Sequence, residues 1–529
     1  MSLPGLVARW VLTAAAAAAL AGALALVAVE GGWVRGGEVR GEEQFLHGTA
    51  GTENIPLVVF EVLPDLFPDQ FQPGGPEQGD WVRQFGFTPG TPGVNRGLPL
   101  GFSVSNHRPR TGSPSPVPFV GFTCGMCHTG VIQTSEEDPG RVVVGMGSPS
   151  VDFIAWVDAF RTAVLDERRL TMEAVGGAVR RRSGRDLTLA ERVMVSVWLR
   201  DTRQALKANL SKYDEPFSGP ELLDARFMPN GPARTQPFRN LIRNVMNRPA
   251  TWGDHAYCKI PSIYEQGHRR WGQYDGSIAS RLERSVLAAV AIGATPDNLV
   301  IPEISRSVVA AVDYTVTLRA PSYASAFPAE AAKVDAAAAR RGREVYRAHC
   351  QGCHGARNAV TGAWEDGART GEVIPVEEIG TDPERVRFRH FSELPDALYQ
   401  FFPEGHPLRP RREDIRPGPA GTTAGFISAP LEAPWARAPY LHNGSVPTLA
   451  QLINLEERQG VFYRGRNLYD PVEVGLRAPG APDARNYYRF DTSVRGNSNR
   501  GHDYPWAYGS PQRDQQQLKD LLEYLKTAE

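Results

Sequence analysis

The sequence predicts a mainly α protein of two domains, with long loops and inserted helices. Three observations predict it. Apolar residues recur at helical spacing in separate blocks, Phe153–Val179, Leu187–Leu210 and Gln515–Ala528. The chain has 529 residues, more than one ordinary domain holds. It also carries 53 Gly and 43 Pro, a share that breaks regular elements into short pieces joined by turns.

The elements follow in order. Arg9 precedes an uncharged run from Trp10 to Val29. About twenty apolar residues can cross a bilayer core as a helix. Residues 1–30 are therefore expected to be a membrane anchor, with the rest of the chain on the periplasmic side. A signal peptide cleaved near Ala23-Leu24-Ala25 is the competing reading. Residues 31–120 are rich in Gly, Pro and isolated aromatics and read as a long irregular wrap within a first domain, 31–320. The helical blocks from Phe153 onward are its inserted helices. Thr188 and Glu191 form a capping-box pattern, in which each side chain satisfies the other's backbone N–H. Residues 320–334 read as a linker to a second domain, 335–529. That domain opens with an Ala-rich helix and closes with one that places Leu518, Leu521, Leu522 and Leu525 on one face.

Four of the five cysteines stand in two copies of one motif, "FTCGMCHTG" with Cys124, Cys127 and His128, and "AHCQGCHGA" with Cys350, Cys353 and His354. A dithiol redox site needs only the pair of sulfurs, and a zinc site needs four ligands. Covalent haem needs the pair and the next residue as His: the sulfurs bond the porphyrin and the imidazole meets the iron. Only this chemistry explains why His follows both pairs, so the expected cofactors are two covalently bound c-type haems. The fifth cysteine, Cys258, reads as a small buried apolar residue. With 58 basic and 59 acidic residues the chain has no basic surplus, which argues against a nucleic-acid partner.

The helix carrying Gly342, Val345 and Tyr346 before the second motif, with the Leu-rich closing helix, resembles the small cytochrome c fold. There two terminal helices cross where a Gly lets the backbones approach. The last methionine is Met246, so the second haem has no Met ligand in its own domain. Its candidate sixth ligands are His390, His406, His442 and His502, or the position is open. His255 and His268 are candidates to approach the first haem.

The stretches "APWARAPYLHNGSVPTLAQLI" (433–453) and "IGTDP" (379–383) resemble the di-haem cytochrome c peroxidase and MauG superfamily. The closing "RGNSNRGHDYPW" is similar to the RoxA-like, rubber-oxygenase-related branch. This resemblance implies two cytochrome c-like haem domains, with His502 as distal ligand of the second haem and His442 in the space between the haems. It also implies roles for Trp271 and Tyr274, of "WGQYDG", near the haem edges in electron transfer; a core aromatic cluster is the plainer reading of that pair. Where peroxidases and MauG place a Met or Tyr ligand this chain has Glu456, which favours His502. The expected function is an exported oxidoreductase that activates peroxide or dioxygen at the first haem and passes electrons through the second, from a redox-protein donor. A dioxygenase acting on an organic substrate and a non-catalytic electron carrier are the alternatives.

Overall fold

The computed structural model describes residues 41–71, 81–210, 231–235, 237–248, 257–387, 393–411, 425–478 and 488–528. About 41% is helical and 13% strand, so helices lead but small sheets matter more than expected. The stretch read as an irregular wrap contains a buried helix, Leu57–Leu66, and a three-stranded antiparallel sheet. Pro114–Phe122 is the central strand of that sheet, between Ile55–Pro56 and Phe102–His107. Its register pairs Val104 with Val120 and Phe102 with Phe122. Isolated aromatics separated by Gly and Pro conceal the pattern in sequence. In space Phe87, Phe102, Phe122 and Trp156 pack edge to face, with ring centres 5.0–6.3 Å apart.

The inserted helices form as the periodicity predicts. Asp152 caps Phe153–Leu165 and Thr171 caps Met172–Ser183. The capping box before Leu189–Leu210 is made in both directions, with Glu191 N–H on the Thr188 hydroxyl at 3.1 Å and Thr188 N–H on the Glu191 carboxylate at 2.8 Å. Two further helices, Arg281–Ala291 and Pro302–Thr317, stand against each other farther along the chain.

The stretch read as a linker is packed. Tyr323–Ala326 and Pro328–Ala331 are helical turns, and buried Phe327 between them lies on Tyr469 and Trp435. In the second domain the helices Ala336–His349 and Gln515–Thr527 cross at Gly342. A Cβ there would sit 1.9 Å from the Asp520 carbonyl oxygen, so only Gly fits. Val345, Tyr346, Leu518, Leu521, Leu522 and Leu525 are buried around the crossing. Each such side chain contributes up to about 1.5–3 kcal/mol.

The expected N-terminal anchor is not supported. Among the described residues no helix is long and apolar enough to cross a membrane, and residues 1–30 lie outside them.

Candidate haem centres

The first motif is delivered by the sheet. Phe122 ends the central strand, and the Thr123 hydroxyl then caps the one-turn helix Cys124–Cys127 by accepting the Gly125 N–H at 3.0 Å. Three residues is close to one helical turn, so both sulfurs lie on one side. His128 follows as the chain leaves the helix. Its Nδ1 lies 2.8 Å from the Pro261 carbonyl oxygen. A carbonyl only accepts, so Nδ1 carries the proton and Nε2 keeps its lone pair for a metal. Burial pushes the pKa of His128 down to about 4, which keeps the ring neutral.

The second motif repeats this local geometry on a different support. Gln351–His354 continues from the crossing helix, and His354 Nδ1 lies 2.9 Å from the Ala429 carbonyl. The four cysteines are unpaired. Burial raises all four thiols, Cys127 and Cys350 to about 12. A redox-active dithiol has a lowered pKa instead. Among the described residues no group of three or more His, Cys, Asp or Glu is placed to hold a metal ion. The two pairs therefore do not form a four-thiolate zinc site.

What faces each histidine differs. The His502 ring stands 6.0 Å from His354, centre to centre, with the planes at 48°. A metal about 2 Å from one nitrogen of each ring requires a spacing of about 6 Å, so the pair fits a shared ion. His502 is set in place by two close approaches. Its N–H donates to Ile379 O at 2.7 Å, and Gly501 lies so near Gly380 that a Cβ would come within 2.2 Å of the Gly380 carbonyl carbon. Arg458 ties the same loop by donating to the Gly501 carbonyl at 2.8 Å. The segments "IGTDP" and "RGNSNRGHDYPW" thus meet in space. His502 Nδ1 is buried without a hydrogen-bond partner, and burial, with His354 beside it, depresses its pKa to about 3.

His128 instead opens on an apolar cavity walled by Phe45, Phe153, Leu241, Leu287, Val308 and Tyr274. No second histidine lines it among the described residues. His268 lies on Trp364 and beside Glu265, and His255 and His390 are outside the described residues. His406 bonds the Pro296 carbonyl, at 3.0 Å, and is a core residue. Cys258 is buried at the cavity wall.

Trp271 and Tyr274 lie between the two motifs in the chain, and His442 lies beyond the second. Trp271 Nε1 donates to Gly371 O at 3.0 Å, and Gly371 N–H donates to Ser428 O, next to the Ala429 that holds His354. Tyr274 lines the first cavity while its carbonyl accepts the Ile427 N–H at 2.8 Å. His442 is not turned to either motif histidine as a ligand. It stacks on Phe426 at 4.1 Å, and its carbonyl accepts the Lys259 N–H at 2.8 Å. Burial and the cations Arg385, Arg234 and Lys259 keep it neutral. Sequence reasoning missed Arg385, which pairs with Asp275 of "YDG" at 2.9 Å with both side chains fully buried. It also missed the carbonyls of Pro261 and Ala429, since backbone acceptors leave no trace in residue type.

Comparison with known proteins follows this division. Residues 337–405 match the family model of cytochrome C oxidase, cbb3-type, subunit III, and residues 425–463 match that of RoxA-like, cytochrome c-like proteins. The chain is cytochrome c-like over these two matched stretches. A domain of this kind implies a covalently bound haem c. Residues 41–128, ending on the first motif histidine, match the Y4iN-like domain. Two proteins of Sinorhizobium fredii strain NGR234 are similar along much of their length. Uncharacterized protein y4iM is 29% identical over 58% of this chain and 74% of its own. Uncharacterized protein y4iJ is 24% identical over 85% and 84%.

Proposed function

We propose that this chain is a di-haem c-type cytochrome oxidoreductase of RoxA-like affinity, activating peroxide or dioxygen at the first motif and passing electrons through the second. The observation that carries the reading is the asymmetry of the two histidines: His354 is faced by His502 at 6.0 Å, whereas His128 faces an apolar cavity. Cys124, Cys127 and His128 would hold one haem. Cys350, Cys353 and His354, with His502 opposite, would hold the other. Bound haem iron supplies one-electron chemistry and, where a coordination position is open, activation of an oxygen species.

The protein's own residues set access and polarity. The carbonyls of Pro261 and Ala429 fix each proximal ring in one tautomer and raise its basicity as a ligand. His502 closes the second site to small molecules, which suits electron transfer. The apolar wall over His128 keeps bulk water from the first site. Tyr274, whose carbonyl accepts from Ile427, and Trp271, bonded to the Gly371 that donates to Ser428, would give a short through-bond route toward Ala429. The same apolar wall favours a second reading, oxygenation of an apolar organic substrate.

The test uses the full, matured protein. A pyridine haemochrome assay should give two covalent haems per chain, and EPR should show one high-spin haem that binds cyanide and one low-spin haem that does not. Fewer than two haems removes the proposal; two low-spin, inert haems make the chain an electron carrier. Peroxide consumption with a reduced cytochrome, against oxygen uptake with an apolar substrate, then separates the two enzymatic readings.

A further inference from the structure

The cavity over His128 holds one anomaly. Its walls are apolar or neutral except for Arg284, the only side chain of fixed charge that lines it among the described residues. Arg284 sits on the first turn of the helix Arg281–Ala291, packed so closely that a Cβ on Gly272 would lie 3.0 Å from its Cβ. Its Nη1 donates to the Gln266 amide oxygen at 2.8 Å and its Nη2 is 3.5 Å from the Ser285 hydroxyl. Neither partner carries charge, and no carboxylate pairs with it among the described residues. Arg281, one turn earlier, meets only the Gln266 carbonyl among the described residues, at 3.3 Å, but other guanidinium groups of the region meet carboxylates: Arg269 meets Glu432 at 2.9 Å, Arg385 meets Asp275 at 2.9 Å, and Arg357 meets Glu265. Burial lowers the pKa of Arg284 only to about 10, so it stays cationic near neutral pH.

A guanidinium in an apolar cavity without a counter-ion is costly, and its planar fork matches a carboxylate. We propose that Arg284 is the carboxylate-docking residue of the first cavity, and that the occupant of the cavity supplies the missing anion. Two sources share this chemistry: a propionate of the haem held at Cys124, Cys127 and His128, or a free small carboxylate that enters as substrate or effector. The inference rests on the reading that a haem is attached there. In either case the residue also sets the potential of the first iron, because a nearby cation favours the reduced state.

The experiment is a redox titration of the full di-haem protein, wild type, Arg284→Met and Arg284→Gln, with and without acetate or benzoate. A propionate partner predicts that both variants lower the midpoint potential of the first haem only, by roughly tenfold in the oxidised-to-reduced ratio at fixed potential. Added carboxylate then changes nothing. A free carboxylate partner predicts saturable binding to wild type, seen as a shift in the first haem's absorption, weakened about tenfold or more in both variants. Arg284→Gln keeps a hydrogen bond for Gln266 and guards against a folding defect in the apolar variant. Unchanged potential with no carboxylate response in any protein, while haemochrome still counts two haems, overturns the docking role and leaves the di-haem reading intact. A single haem, with none at the first motif, removes the di-haem reading instead.

Discussion

The two motif histidines share one local solution and differ in everything beyond it. Each donates Nδ1–H to a backbone carbonyl at 2.8–2.9 Å; His128 follows the helical turn Cys124–Cys127, and His354 ends the turn Gln351–His354 that Cys350 precedes. Around His354 the support is regular: two helices crossing at Gly342, and a loop locked by the Gly380–Gly501 contact that brings in His502. Around His128 the support is a small sheet, a capped turn and helices from far along the chain, and the space opposite is left open. The lesson is that the motif fixes the near side of a metal site, while the fold decides whether the far side is closed.

The largest effect that tests this contrast comes from removing the closure. His502→Ala should convert the second haem from low-spin to high-spin and let it bind cyanide and CO, so that the two centres become alike. An unchanged EPR spectrum would mean that another residue faces His354, and the asymmetry would need a different origin.

A second test acts where the two regions meet. Asp275 belongs to the segment before the second domain and Arg385 to a cytochrome c-like stretch, and their ion pair is wholly buried. Arg385 also donates to the Gln273 amide oxygen at 3.0 Å. Arg385→Met leaves an unpaired buried carboxylate and should cost about 3–5 kcal/mol, seen in thermal or denaturant unfolding. Replacing both partners, as Asp275→Leu with Arg385→Met, should recover most of that loss. A single variant as stable as wild type would show that the pair does not join the regions.

Legibility in sequence followed the same divide. The Leu face of the closing helix and the Thr188–Glu191 box depend on spacing within one segment, and each formed as read; the Gly342 crossing, expected from the cytochrome c resemblance, formed as well. The strands at 102–107 and 114–122 were hidden, because their partners lie a turn or a half-domain away and Gly and Pro blur the alternation. Phe327 looked like linker because its contacts, Tyr469 and Trp435, lie more than a hundred residues on. Arg284 was invisible for a related reason. An arginine is remarkable only when no carboxylate meets it, and that is a fact about space.

The smallest test concerns how the irregular side is held. Glu53 is buried, 4% exposed, in the loop whose residues Gly48, Thr49 and Ala50 line the first cavity. Its carboxyl accepts the Ser103 hydroxyl and the Ala50 N–H, and among the described residues no cation pairs with it. Burial raises its pKa above the ordinary 4.5, with the Ser103 and Thr49 hydrogen bonds opposing in part. The folded chain therefore keeps a proton that the unfolded chain releases above pH 4.5. The stability this contributes is complete below that pH and is lost as pH rises through the folded value. Glu53→Gln keeps an oxygen for Ser103 and has no proton to lose. It should match wild type near pH 4 and be the more stable of the two at pH 8. On the proposed di-haem reading, the difference should appear first in the spectrum of a haem held at His128, because the loop walls that cavity, and not in that of a haem held by His354 and His502. Equal pH profiles for the two proteins would mean that the carboxyl sheds its proton at no cost, and that the open site is held as firmly as the closed one.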